Sequence, residues 1–215
     1  MSKPYSDVDF SAQITEDRAW RLREISDLKT AIARADGNLR RVMLRALITI
    51  SYAHWEGYVR FAARKYLEHV ALRRFQYREL DRQFLRNYFL PRLAGMSISK
   101  RSLAERCMLV DEIIGSSSER YSKVNDDLIN TKANLSYAVF ADICLVCCVP
   151  VSRFEAKSTF IDIFLLKRRN DIAHGENTFI GIEDLNETTT ETIALMRAFG
   201  DALENHVYLR DYRSA

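Results

Sequence analysis

Three features of the 215-residue sequence predict an all-α fold. It holds only seven Gly and three Pro, too few for the many turns of a β-rich chain. Apolar residues recur at helical spacing through most of its length. Strand signals are almost absent, residues 178–182 being the one stretch that reads as extended.

The chain is long enough to bury a sizeable core, and 47% hydrophobic with 28% charged residues is ordinary for a soluble globular protein. No run of about 18 apolar residues exists, and the Met1-Ser2-Lys3-Pro4 start has no apolar leader core. The sequence therefore predicts no membrane span and no signal peptide, and a cytoplasmic location. The 32 basic residues are nearly matched by 29 acidic ones, for a net charge of +3, so any nucleic-acid reading needs local clustering rather than overall charge. Cys144-x-x-Cys147 has no partner CxxC or HxxxH to complete a zinc site. Its neighbours Leu145, Val146 and Val149 make Cys144, Cys147 and Cys148 read as small core hydrophobes, so neither metal nor cofactor is expected.

Taken in order, residues 1–13 are polar without a clear period and read as an irregular lead-in. Thr15 is the expected N-cap of a first helix, with Glu16 and Asp17 in the first turn and Leu22, Ile25, Leu28 and Ile32 as its stripe, closed by Asp36-Gly37-Asn38. A second, long helix carries Leu39, Met43, Leu47, Ile50, His54, Tyr58 and Phe61 and continues toward Leu72. His54, central in that stripe, is expected to be buried with a local hydrogen-bond partner. Glu56 lies to the other side, near Tyr52 and Arg60, where an i,i+4 pair with Arg60 is expected.

Residues 73–93 interleave arginines with aromatics. The pattern fits single-stranded nucleic acid and, more commonly, a helical core face made by Leu80, Phe84, Tyr88 and Phe89. Pro91 is expected to end this helix, with a turn at 95–99. A further helix over 100–114 should bury Leu103, Cys107, Val110 and Ile114. Residues 75–130 read as a helical insertion into one domain spanning 1–215. Asn134 is the expected cap of a helix over 135–148, closed by Pro150. The next helix starts near Lys157, carries Phe160, Ile161, Phe164, Leu165 and Ile172, and stops at Gly175 with Lys167, Arg168, Arg169 and His174 in its last turns. A final helix spans 187–207.

The end of the penultimate helix concentrates chemistry. Asn170 and His174 lie four apart on one face, and Arg169 stands about 140° from His174 on an ideal helix. Cleaving RNA without a metal requires removing a proton from the 2′-hydroxyl, stabilising the added charge on phosphorus, and protonating the leaving 5′-oxygen. Histidine serves either proton transfer and arginine suits the phosphoryl oxygens. One histidine per chain is insufficient for both transfers, and a symmetric dimer would supply the second. Spacing alone fits this chemistry and also the commoner role of cations that complement a helix dipole.

Arg168-Arg169-Asn170-Asp171-Ile172-Ala173-His174-Gly175-Glu176 resembles the HEPN superfamily signature, an Arg followed by a polar residue and then a His. Ser51-Tyr52-Ala53-His54-Trp55-Glu56-Gly57-Tyr58, Asn130-Thr131-Lys132-Ala133-Asn134-Leu135 and Ile182-Glu183-Asp184-Leu185 extend the likeness, in order, to the MAE-type HEPN group over roughly residues 20–210. The resemblance implies an antiparallel helical bundle and a homodimer whose two motifs share a cleft. It implies a metal-independent endoribonuclease leaving a 2′,3′-cyclic phosphate, often a toxin or antiviral effector with an antitoxin or defence-system partner. Arg169, His174 and Asn170 would be catalytic, Glu56 supporting, and Lys167 and Arg168 RNA-binding. Glu176 stands where toxins neutralised by a nucleotidyltransferase often carry tyrosine, so modification of that kind is not implied. The alternative is an inactive HEPN interaction module.

Overall fold

The computed structural model describes residues 3–98 and 102–214. The regular elements are α1 (Asp7–Arg34), α2 (Gly37–Arg73), α3 (Arg82–Ile98), α4 (Leu103–Gly115), α5 (Tyr137–Val146), α6 (Arg168–Ala173) and α7 (Asp184–Leu209), with short 3₁₀ turns between them. The fold is all-α, and among the described residues there is no strand, only the isolated bridges Gln76–Arg120 and Leu80–Arg213. No described helix is long and apolar enough to cross a membrane.

The centre is a bundle of α1, α2 and α7. Pairings Phe10–Tyr66 and Trp20–His54 run α1 antiparallel to α2. Thr15–Glu204 and Arg18–Asp201 run α1 antiparallel to α7. Helix α7 is thus parallel to α2, and the two approach closely because residue 200 is glycine: an added Cβ would run into the Tyr58 hydroxyl and the Arg18 guanidinium. Trp55 of α2, Phe140 of α5 and Phe199 of α7 then meet in one aromatic cluster, with ring centroids 5.0 and 5.4 Å apart, closed by Phe154. Tilted and edge-on rings at these separations add to the large apolar area each buries. His54 is buried as expected, its Nε2 3.0 Å from Glu24 Oε2. Burial pushes its pKa down, partly countered by that carboxylate.

Several expected boundaries are corrected. Helix α1 begins at Asp7, not after Thr15, because Ser6 and Asp9 form a reciprocal capping box of 3.0 and 2.9 Å, and Phe10 and Ile14 are fully buried. Pro91 lies inside α3 rather than ending it. Its ring removes one amide bond, yet Phe84 and Phe89 are buried ahead of it and Arg92 pairs with Glu112 beyond it, so packing on both sides carries the helix through the expected turn as far as Ile98. Residues 99–101, where the next helix was expected to begin, lie outside the described residues. Helix α4 starts after its cap Ser102, and its stripe is not buried: Leu103, Cys107, Val110 and Ile114 are exposed and only Leu109 is covered. Ser136, not Asn134, caps α5. Residues 178–182 form irregular chain leading into α7, which begins at Asp184.

Candidate functional site

The segment read as one helix from Lys157 to Gly175 is not uniformly α-helical. A 3₁₀ stretch (Val151–Lys157) precedes a π-helix (Phe160–Lys167), which runs directly into α6. A π-helix holds more residues per turn than an α-helix, so it rotates the side chains of α6 relative to the buried stripe of Phe160, Ile161 and Leu165. Such insertions recur at functional sites. Helix α6 ends as the sequence predicts. Gly175 adopts φ +81°, its amide donates to Ile172 O at 3.1 Å, and the Glu176 amide reaches back to Asp171 O at 2.9 Å.

Arg169 is half-buried and held on two sides. Its guanidinium carbon sits 4.0 Å over the centroid of the Tyr52 ring, and Nη2 donates to the Ala133 carbonyl at 2.9 Å. Its Nε is buried without a partner among the described residues. Asn170 is half-buried and its carbonyl accepts the His174 amide at 2.9 Å, while the His174 side chain is exposed. Among the described residues neither the Asn170 amide group nor the His174 imidazole has a side-chain partner, and no bond joins Arg169 to His174. The structure therefore places one fixed cation and, on the same short helix, two free polar groups a turn apart.

Tyr52 and Glu56 come from successive turns of α2. Burial raises the Tyr52 pKa, and the nearby Glu56 carboxylate adds to that rise against the Leu135 amide and Arg169, which lower it. Glu56 forms no pair with Arg60 among the described residues. Instead both line a cleft of about 600 Å³ with Gly57, the 3₁₀ turn Asp126–Ile129 and Ala133. A second cleft of about 680 Å³ shares Gly57, Arg60, Asp126 and Ile129 and adds Arg21, Phe61 and Arg64. Its cations are largely neutralised, Arg64 by Asp126 at 3.2 Å and Glu68 at 3.1 Å, Arg21 by Asp17 at 2.7 Å. Arg60 is exposed and has no ion pair among the described residues.

The two residues preceding Arg169 differ from each other. Lys167 is exposed, whereas Arg168 lies 3.0 Å from Asp184 and 4.6 Å over the Phe164 ring, tying α6 to the start of α7. Past the motif, Arg45 of α2 donates to the Thr178 and Glu176 carbonyls, both at 2.8 Å, and Arg41 bonds Asn177. The helix end carrying His174 is thus anchored on both flanks. In the 73–93 stretch Tyr77, Leu80, Phe84 and Phe89 are buried, Tyr88 is partly exposed, and Arg73 pairs with Asp7 at 2.9 Å. Burial pushes the Cys144 thiol up to about 12 and raises the Cys147 thiol well above its ordinary value, so both pack as apolar groups.

Sequence reasoning missed Tyr52, Ala133, Arg41 and Arg45. Tyr52 was legible only as a neighbour of Glu56 on the same helix, and a backbone carbonyl leaves no signal in residue type. The i,i+4 spacing of Arg41 and Arg45 on one face of α2 was the only available hint.

The chain matches the RiboL-PSP-HEPN family over residues 16–205, which covers every element from the middle of α1 to near the end of α7. No curated protein and no solved structure matches it.

Proposed function

We propose, from the premise that this chain belongs to the RiboL-PSP-HEPN family, that it is an endoribonuclease cutting RNA without a metal, by attack of a 2′-hydroxyl on the adjacent phosphate. The observation that carries this reading is the end of α6, where among the described residues the exposed His174 imidazole and the Asn170 side chain one turn earlier have no partner, and Arg169 is fixed in place. One imidazole takes the 2′-hydroxyl proton as the O2′–P bond forms. Arg169 stabilises the charge that gathers on the phosphoryl oxygens. A second imidazole protonates the 5′-oxygen as its bond to phosphorus breaks, leaving a 2′,3′-cyclic phosphate.

A single chain offers one such histidine, so the working site is composite, with two copies of α6 facing each other in a homodimer. Asn170 orients the imidazole or the phosphate, Glu56 helps fix the wall of the cleft, and Lys167 and Arg60 supply cations for the RNA backbone. Arg168, engaged by Asp184, contributes by holding α6 rather than by free charge. The biological role that fits is a cytoplasmic toxin or antiviral effector restrained by a partner protein.

One observation favours a second reading. Arg169 already has protein partners in Tyr52 and Ala133, as an arginine of purely structural use would, which suits an inactive HEPN interaction module. Purified protein incubated with single-stranded RNA in excess chelator separates the two. The nuclease cleaves, leaves cyclic-phosphate ends, and loses at least about 100-fold in rate on His174→Ala or Arg169→Ala with the helical fold and dimer intact. Unchanged cleavage in both variants removes the site assignment, and a wild-type protein that cleaves nothing leaves the interaction module.

A further inference from the structure

We infer that Tyr52 is a positioning residue that, together with the left-handed turn at Lys132 and Ala133, clamps the Arg169 guanidinium in the orientation the reaction uses. This rests on the nuclease reading for its consequence but not for its geometry.

Three contacts close a triangle. The Arg169 guanidinium carbon sits over the Tyr52 ring, 4.0 Å from its centroid, and Arg169 Nη2 donates to Ala133 O at 2.9 Å. The Tyr52 hydroxyl accepts the amide of Leu135 at 2.6 Å, so the side chain that lies under the guanidinium also pins the strap whose carbonyl receives it. Tyr52 is 2% exposed and stands on the long, rigid α2, while Leu135 is fully buried, so the anchor points do not drift. A ring beneath a guanidinium attracts it by a cation–π contact and restrains where it sits.

The strap itself is bent at a cost. Lys132 (φ 53°) and Ala133 (φ 57°) are consecutive left-handed residues, although each carries a Cβ and neither is glycine, the residue that tolerates this conformation. Asn130 Oδ1 accepts the Lys132 amide at 2.7 Å, and the Asn134 amide donates to Thr131 O at 3.0 Å, which set the bend. Its result is a carbonyl at residue 133 aimed at Arg169. Strain of this kind persists where surrounding contacts enforce it, and it gathers at functional sites. A long side chain with many rotamers has to be oriented before substrate arrives if it is to act on a transition state rather than merely bind.

The test compares full-length Tyr52→Leu, Tyr52→Phe and Ala133→Gly with wild type, by RNA cleavage kinetics and by the NMR signal of the Arg169 side-chain Nε–Hε group, assigned with Arg169→Lys. In wild type the ring displaces that signal upfield. Tyr52→Leu should abolish the displacement and lower kcat by roughly 100-fold with little change in KM. Tyr52→Phe, keeping the ring but not the bond to Leu135, should keep the displacement and lose roughly tenfold in kcat. Ala133→Gly, which removes the φ strain but frees the strap, should hold or raise the melting temperature while lowering kcat, a combination that a purely structural role does not produce. An Arg169 signal unmoved by Tyr52→Leu overturns the clamp, as do wild-type rates in both Tyr52→Phe and Ala133→Gly. Should Tyr52→Leu fail to fold, those two variants decide it. A wild-type protein without cleavage overturns the nuclease reading, and the Arg169 signal then still decides whether Tyr52 holds the guanidinium.

Discussion

Along α2, Leu47, Tyr58, Ala62 and Tyr66 are at most 1% exposed, whereas along α4 Leu103, Val110 and Ile114 stand 53–77% exposed, although both helices carry an apolar stripe of helical period. The difference lies in what is available to cover them. Helix α2 is sandwiched between α1 and α7 and receives Phe140 from α5, while α4 meets mainly the 3₁₀ turn at its C-terminal end and is linked to α3 by Arg92 and Glu112. Periodicity states that a helix has an apolar side and is silent on whether the chain brings a neighbour to it. The residues of the candidate site respect this division. Tyr52, Glu56, Arg41 and Arg45 all stand on α2, where burial makes the scaffold stiff, and none comes from the α3–α4 arm.

The contrast is broken most directly in the bundle. Trp55→Ala should cost about 3–5 kcal/mol, since a fully buried indole leaves a cavity among Phe140 and its neighbours. Urea denaturation measures it, and a loss below about 1 kcal/mol would mean that the aromatic cluster is not close-packed. Gly200→Ala should cost about 1–3 kcal/mol in the same experiment, because the new methyl meets the Tyr58 hydroxyl where α2 and α7 touch.

A pH series sharpens the same division. His54, His69 and His206 belong to α2 and α7, and burial depresses the pKa of each, whereas residues 82–115 contain no histidine. The faces around them hold charges of both signs: Glu24, Arg21 and Asp17 at His54, Asp7 and Arg73 at His69, and Asp211, Arg153 and Asp81 at His206. Because the folded values lie below the ordinary value near 6.5, the unfolded chain binds more protons in mild acid. Their contribution is fully present above about pH 6.5 and is lost as pH falls toward the depressed folded values. The urea midpoint should therefore be level above about pH 7 and decline below about 6.5, with a shallower decline in His69→Gln.

The fold class and the extent of α2 were legible because a stripe of that length, uninterrupted by proline, has few alternatives. The start of α1 was not, since its signal is a local Ser6–Asp9 box with only Phe10 and Ile14 behind it. Arg169, Asn170 and His174 were legible as residue types at a helix end. What fixes Arg169 was hidden, because it consists of a ring noted only as a neighbour of Glu56, a backbone carbonyl, and a left-handed turn formed without glycine. The π-helix before α6 was hidden too, since it changes the phase of a stripe without changing its composition.

The smallest expected effect is the most diagnostic for the arm. Ile114→Ser replaces a side chain that is 73% exposed, so it removes little buried area and should change stability by less than about 0.5 kcal/mol. Leu109→Ser, earlier on the same helix and 6% exposed, should cost about 1–3 kcal/mol. The ratio of the two losses reports which side of α4 is covered. If Ile114→Ser destabilises as much as Leu109→Ser, and does so increasingly at high protein concentration, then the outer stripe is packed in solution against a second molecule and the arm is half of an interface. Equal losses independent of concentration would instead mean that α4 is rotated about its axis, with the stripe of Leu103, Val110 and Ile114 turned inward as its period suggests.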